Sequence, residues 1–93
     1  MSADFTSIHN YYERAVFEAV VASAAGYPGV HEDKWPDVAC VALNRLPTRY
    51  IRHEVDLAFY LTDKERAALD AAVTESVAYA FEFVQARTAM RAR

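Results

Sequence analysis

Residues 62–87 read TDKERAALDAAVTESVAYAFEFVQAR, and this stretch decides the fold class. Thr62-Asp63-Lys64-Glu65 has the form of a capping box: Thr62 can accept from the Glu65 N–H while Glu65 reaches back. Behind it Leu69, Val73, Val77, Ala80 and Val84 recur at helical spacing. Phe81 widens that stripe. The pattern predicts a helix of about 25 residues, long for a small domain. Such a helix has more apolar face than one small partner layer covers, so a homodimer is expected, with this helix and part of the first at the interface.

Just before this helix, residues 49–61 combine β-branched and aromatic residues without a clean polar face, which suggests one or two short strands. Before them, Pro36 opens a second helix and Asp37 suits its positive end. Val38 to Leu43 is apolar on every side, so this helix is expected to be central and buried. Pro47 ends it by pushing Leu46 away from helical angles. Residues 26–34 are a loop by turn chemistry, with Gly26 as the stop of a first helix over about Ser7–Ala25. In that helix Ile8, Tyr12, Ala15, Ala19 and Val20 recur at helical spacing. The expected fold is mainly α: a small three-helix domain with a short extended segment after the second helix.

Ninety-three residues make one domain, residues 1–93, hiding roughly two-thirds of the surface its unfolded form exposes. Hydrophobic residues are 54% of the chain, enough for a core, and 2 Gly with 3 Pro exclude a collagen-like or linker chain. A net charge of −3 argues against nucleic-acid binding driven by total charge. One cysteine excludes an intrachain disulfide. Cys40 is expected to be a small core residue. No apolar run approaches the roughly 20 residues of a membrane span, and residues 1–10 have no basic n-region. A cytoplasmic setting follows as the expectation.

The chemistry concentrates in Ala42-Leu43-Asn44-Arg45-Leu46-Pro47-Thr48-Arg49-Tyr50-Ile51. Three of the 10 basic residues, Arg45, Arg49 and Arg52, straddle this proline-broken helix end in an otherwise acidic chain. Arginine forks grip phosphate or the Hoogsteen edge of guanine bidentately, and a Tyr or Arg plane stacks on a base. Asn44 adds a donor and an acceptor. The same spacing also suits a structural turn, with Arg45 capping carbonyls or pairing with Glu13 or Glu54.

This segment resembles the signature of the late competence development protein family, ComFB, approximately Ala-Leu-Asn-Arg-Leu-Pro-Pro-Arg-Tyr-Val. Thr48 stands where Pro is usual and Ile51 replaces Val. Asn10-Tyr11 near the first helix and Asp37-Val38-Ala39 in the second also resemble the family. The resemblance implies a binding module whose relatives look like receptors for cyclic dinucleotides, chiefly cyclic di-GMP. By motif position it carries ligand contact to Asn44, Arg45, Pro47, Arg49 and Tyr50, with Arg52 beside them. Many members carry zinc-holding cysteines in the loop before the second helix. Here Tyr27 to Trp35 offers only His31, Glu32 and Asp33, so no metal and no cofactor are expected, and Tyr27 and Trp35 are expected to pack the loop down instead.

Catalysis is not expected. His9, His31 and His53 have no partner at a diagnostic spacing, and Glu32-Asp33 and Glu54/Asp56 read as solvated charge. No glycine-rich phosphate loop is present. A DNA reading is disfavoured because Pro36-Asp37 would be the reading end of the second helix, and Asp37 repels phosphate. The Arg87, Arg91 and Arg93 tail reads as solvated. The alternative is a protein-interaction module with no small ligand, and the downstream protein partner is not specified by the sequence.

Overall fold

The computed structural model describes residues 3–53, 55 and 61–91. Among these, three helices follow one another: α1 over Tyr12–Ser23, α2 over Trp35–Arg45 and α3 over Asp63–Arg91. Two short strands, β1 (His9–Asn10) and β2 (Tyr50–Ile51), pair antiparallel with His9 opposite Ile51 and Asn10 opposite Tyr50. The mainly α fold with an extended piece after the second helix is as the pattern predicts. Segment 49–61 is extended at Tyr50–Ile51; Glu54 and Asp56 lie outside the described residues.

The core is a seam between helices. Val16 and Val20 of α1, Val38 and Ala42 of α2, and Val77, Ala80 and Phe81 of α3 are buried. Tyr12, Val73 and Val84 join them, and Leu69 packs against the edge. Phe81 is fully buried, and Tyr27 lies flat on it, with ring centroids 4.5 Å apart and 4° between planes. Tyr27 and the half-buried Trp35 thus hold the 26–34 loop against the core, as expected for a loop without cysteines. The Trp35 indole N–H is buried with no hydrogen-bond partner among the described residues.

Two expectations need correction. First, α1 begins at Tyr12, not near Ser7. Asn10 is buried, and its side-chain oxygen accepts from the Tyr12 N–H at 3.3 Å. That local bond competes with helix continuation, and the residues before it turn out to pair with β2. Ile8 is accordingly half exposed rather than core. Second, α2 is not buried on every side: Val38, Ala39 and Ala42 are buried, Val41 and Leu43 half-buried, and Cys40 exposed. The molecule measures 51 × 41 × 19 Å, so it is a slab thin enough that each helix keeps a free face. Cys40 is therefore not a core residue. The other end of α1 is as expected: the helix tightens into a 3-10 turn over Ala24–Gly26 and stops at Gly26.

The last helix matches its reading closely. The Glu65 N–H donates to Thr62 Oγ1 at 3.1 Å, and the Thr62 hydroxyl donates back to the Glu65 carboxylate at 3.1 Å. The helix runs 29 residues, about 43 Å at 1.5 Å per residue. No helix among the described residues is long and apolar enough to cross a membrane.

Candidate functional site

The proline break does what the sequence requires. Leu46 sits at φ −89° and ψ 143°, extended, and is buried under the turn. Pro47 and Thr48 are exposed above it. The chain then runs into β2, where Asn10 becomes its anchor. Asn10 Oδ1 accepts from the Arg49 N–H at 3.1 Å while also holding the Tyr12 N–H. The Tyr11 N–H donates to the Arg49 carbonyl at 2.6 Å. One buried amide side chain thus ties the basic segment to the start of α1. The sequence offered Asn10-Tyr11 only as part of a resemblance; its work is to pin the motif's backbone.

The side chains of the motif divide into two groups. Arg45, the last residue of α2, turns toward α3. Its guanidinium carbon lies 3.9 Å from the centroid of the Tyr79 ring, and its Nη2 is 3.6 Å from Glu75 Oε1. Among the described residues its ion-pair partner is Glu75, not Glu13; Glu54 lies outside the described residues. Arg49, Tyr50 and Arg52 ride the ribbon instead. The Arg52 Nε donates to Ser7 Oγ at 3.2 Å. The Arg49 side chain has no hydrogen bond or ion pair among the described residues. Tyr50 is exposed, at 69%. Asn44 is exposed in the last turn of α2.

Burial raises the Tyr12 hydroxyl above the ordinary tyrosine pKa, and the Arg49 charge pulls partly the other way. The Tyr11–Arg49 backbone hydrogen bond sets Arg49 beside the start of α1. Among the described residues the ribbon thus carries an unpaired Arg49 guanidinium and an exposed Tyr50 ring, while the Arg45 guanidinium is held over the Tyr79 ring of α3. A cation over a ring is held by the ring quadrupole, which keeps it in place without discharging it.

Glu75 and Tyr79 were missed by the sequence reading. A signal was present: Glu75, Tyr79, Phe83 and Arg87 are spaced by four, so they form one ridge beside the buried stripe. Tyr79 and Phe83 lie 6.1 Å apart and Arg87 sits 5.7 Å from the Phe83 centroid.

In the acidic loop, His31 Nδ1 lies 2.9 Å from Asp33 Oδ1 in an exposed local pair. Among the described residues no three His, Cys, Asp or Glu side chains gather as metal ligands would. Two clefts open elsewhere on the surface, one between α2 and the C-terminal half of α3 and one between α1 and the start of α3. Neither is lined by Asn44, Arg45, Arg49 or Tyr50.

Against known proteins, the family model described as late competence development protein ComFB matches residues 9–88. No curated protein and no solved structure matches the chain significantly. The matched span covers the ribbon, all of α1 and α2, and most of α3.

Proposed function

The chain belongs to the late competence development protein ComFB family, and from that premise we propose that it is a regulatory module that binds a cyclic dinucleotide, chiefly cyclic di-GMP. One observation carries the reading. Arg49, whose guanidinium has no ion pair among the described residues, and the exposed Tyr50 are chain neighbours on a backbone pinned by Asn10. A charge-assisted fork and a flat face are what a guanine-bearing phosphodiester uses. Arg45 supplies a second cation, and Asn44, Pro47 and Arg52 border the same turn.

On this reading the protein is a cytoplasmic binder, not a catalyst, and needs no cofactor or metal. Ligand acts by linkage, favouring the dimer or partner-bound state for which it has the higher affinity. A homodimer through α3 and part of α1 is supported by the exposed Phe17, Val21 and Met90, at 50%, 63% and 75%.

A second reading, a protein-interaction module with no small ligand, is favoured by one observation. Phe5, Ile8 and Tyr50, at or next to the ribbon, are 70%, 50% and 69% exposed, and neither cleft lies at the motif. An exposed apolar surface suits a protein partner.

Calorimetric titration with cyclic di-GMP at physiological salt, with cyclic di-AMP and GTP as controls, separates the two. Saturable heat with cyclic di-GMP is expected. Arg49→Ala should weaken binding by about 1.5–3 kcal/mol, the worth of a hydrogen bond to a charged group. No heat from folded protein overturns the ligand reading and leaves the interaction module.

A further inference from the structure

The helices α2 and α3 run antiparallel, so the end of their seam opposite the basic turn is formed by the start of α2 and the last turns of α3. There a cleft of about 480 Å³ opens, lined by Lys34, Asp37 and Val41 on one side and Phe83, Arg87 and Arg91 on the other. That volume lies in the range of small-molecule sites. In a chain of net charge −3, the described residues that line this cleft include three cations and a single carboxylate, Asp37. Lys34, Arg87 and Arg91 have no ion pair among the described residues. The aromatic wall is Phe83, 38% exposed, with the Arg87 guanidinium 5.7 Å from its ring centre.

We propose that this cleft is a second binding site, for a flat aromatic phosphate of the nucleotide type. The base stacks on Phe83, where Arg87 extends the platform, and the phosphate is held among Lys34, Arg87 and Arg91. Both halves of the ligand are needed. Uncompensated cations attract any anion, while an aromatic face without charge takes any flat ring. Their juxtaposition in one cleft selects a molecule that carries both. The site shares no residue with the basic turn, so it stands whether or not cyclic di-GMP binds there.

The probe is GMP carrying a methylanthraniloyl fluorophore, titrated with the intact chain and followed by anisotropy. Saturable binding is expected, displaced by unlabelled GMP, with guanosine and inorganic phosphate each at least tenfold poorer competitors. Arg87→Gln should weaken binding tenfold or more, and Lys64→Gln, in the first turn of α3 and in neither site, should leave it unchanged; both residues are exposed, and circular dichroism checks that each variant folds. An affinity unchanged in Arg87→Gln overturns the site, as does an equal loss of binding in Lys64→Gln. Guanosine competing as well as GMP also overturns it, because the cations would then play no part. So does the absence of saturable binding by folded protein. The cyclic di-GMP titration of Arg87→Gln is the independent control: heat retained there and lost in Arg49→Ala keeps the basic turn as its own site.

Discussion

The α2–α3 seam and the β1–β2 ribbon sit in one thin molecule, yet opposite kinds of force hold them. The seam is apolar: Val38 and Ala42 meet Val77, Ala80 and Phe81, all at or near complete burial. The ribbon is two residues wide on each side and relies on one buried amide, Asn10. Apolar burial is non-directional and tolerates small shifts; a hydrogen bond to a buried group fixes position but adds little net stability. The seam therefore supplies the fold's free energy, and the ribbon supplies the placement of the motif. Variants on the two should differ in kind as well as in size.

The largest effect falls on the seam. Phe81→Ala removes a fully buried ring and the surface on which Tyr27 stacks. A loss of about 3–5 kcal/mol is expected in urea denaturation, a large part of the stability of a small domain. If the urea midpoint falls no further than for a ribbon variant, the division between the two regions does not hold.

Next comes the ribbon's anchor. Asn10→Ala leaves the Tyr12 and Arg49 N–H groups without their acceptor. The expected cost is about 1–3 kcal/mol, the desolvation penalty of a buried donor left unmade. Hydrogen exchange sharpens the distinction. The amides of Tyr11 and Arg49 should exchange faster by local opening, while those of Val77 and Phe81 follow global unfolding. Equal acceleration everywhere would mean that Asn10 supports the core and not merely the ribbon.

The same division explains what could be read from the sequence. The seam was legible because its signal is repetition. Val73, Val77, Ala80 and Val84 mark a face by spacing alone, and Phe81 widens it. The ribbon was half legible. An extended piece after Pro47 follows from local chemistry, but its partner does not. His9 and Asn10 lie about forty residues upstream inside a helical pattern, and nothing local announces that Asn10 will spend its side chain on Arg49. The thinness of the slab was also hidden. Apolar residues on every side of α2 imply a central helix, but only tertiary arrangement decides that Cys40 faces out. For the candidate site, the residue types were visible and their grouping was not. Arg45 turns to Glu75 and Tyr79, thirty residues on, while Arg49 and Arg52 remain with the ribbon.

A smaller effect belongs to the end of the seam. Thr62→Ala deletes the cap that takes the Glu65 N–H. The expected loss is about 1 kcal/mol, typical of a helix N-cap. The first turn of α3 should fray in hydrogen exchange, while the ribbon amides keep their protection. Loss of protection at Tyr11 in this variant would couple the two regions through the segment between them.

The smallest stability change carries the sharpest test of how seam and ribbon meet. Arg45 closes the seam at the motif end, held by Tyr79 from below and Glu75 from the side. The side chains of Arg45 and Glu75 are 41% and 76% exposed, so their ion pair contributes about 0–1 kcal/mol. Glu75→Gln should leave the urea midpoint nearly unchanged. Its effect on ligand should be larger and opposite in sign. The carboxylate competes with a phosphate for the same guanidinium, whereas the Tyr79 ring keeps that guanidinium in place without neutralising it. Cyclic di-GMP should therefore bind Glu75→Gln more tightly than the parent protein, and the gain should shrink as salt screens the competing charge. Tyr79→Leu should do the reverse, since Arg45 loses its platform and Glu75 keeps its hold. If both variants bind as the parent does, Arg45 belongs to the seam alone and the ligand surface is confined to Arg49 and Tyr50 on the ribbon.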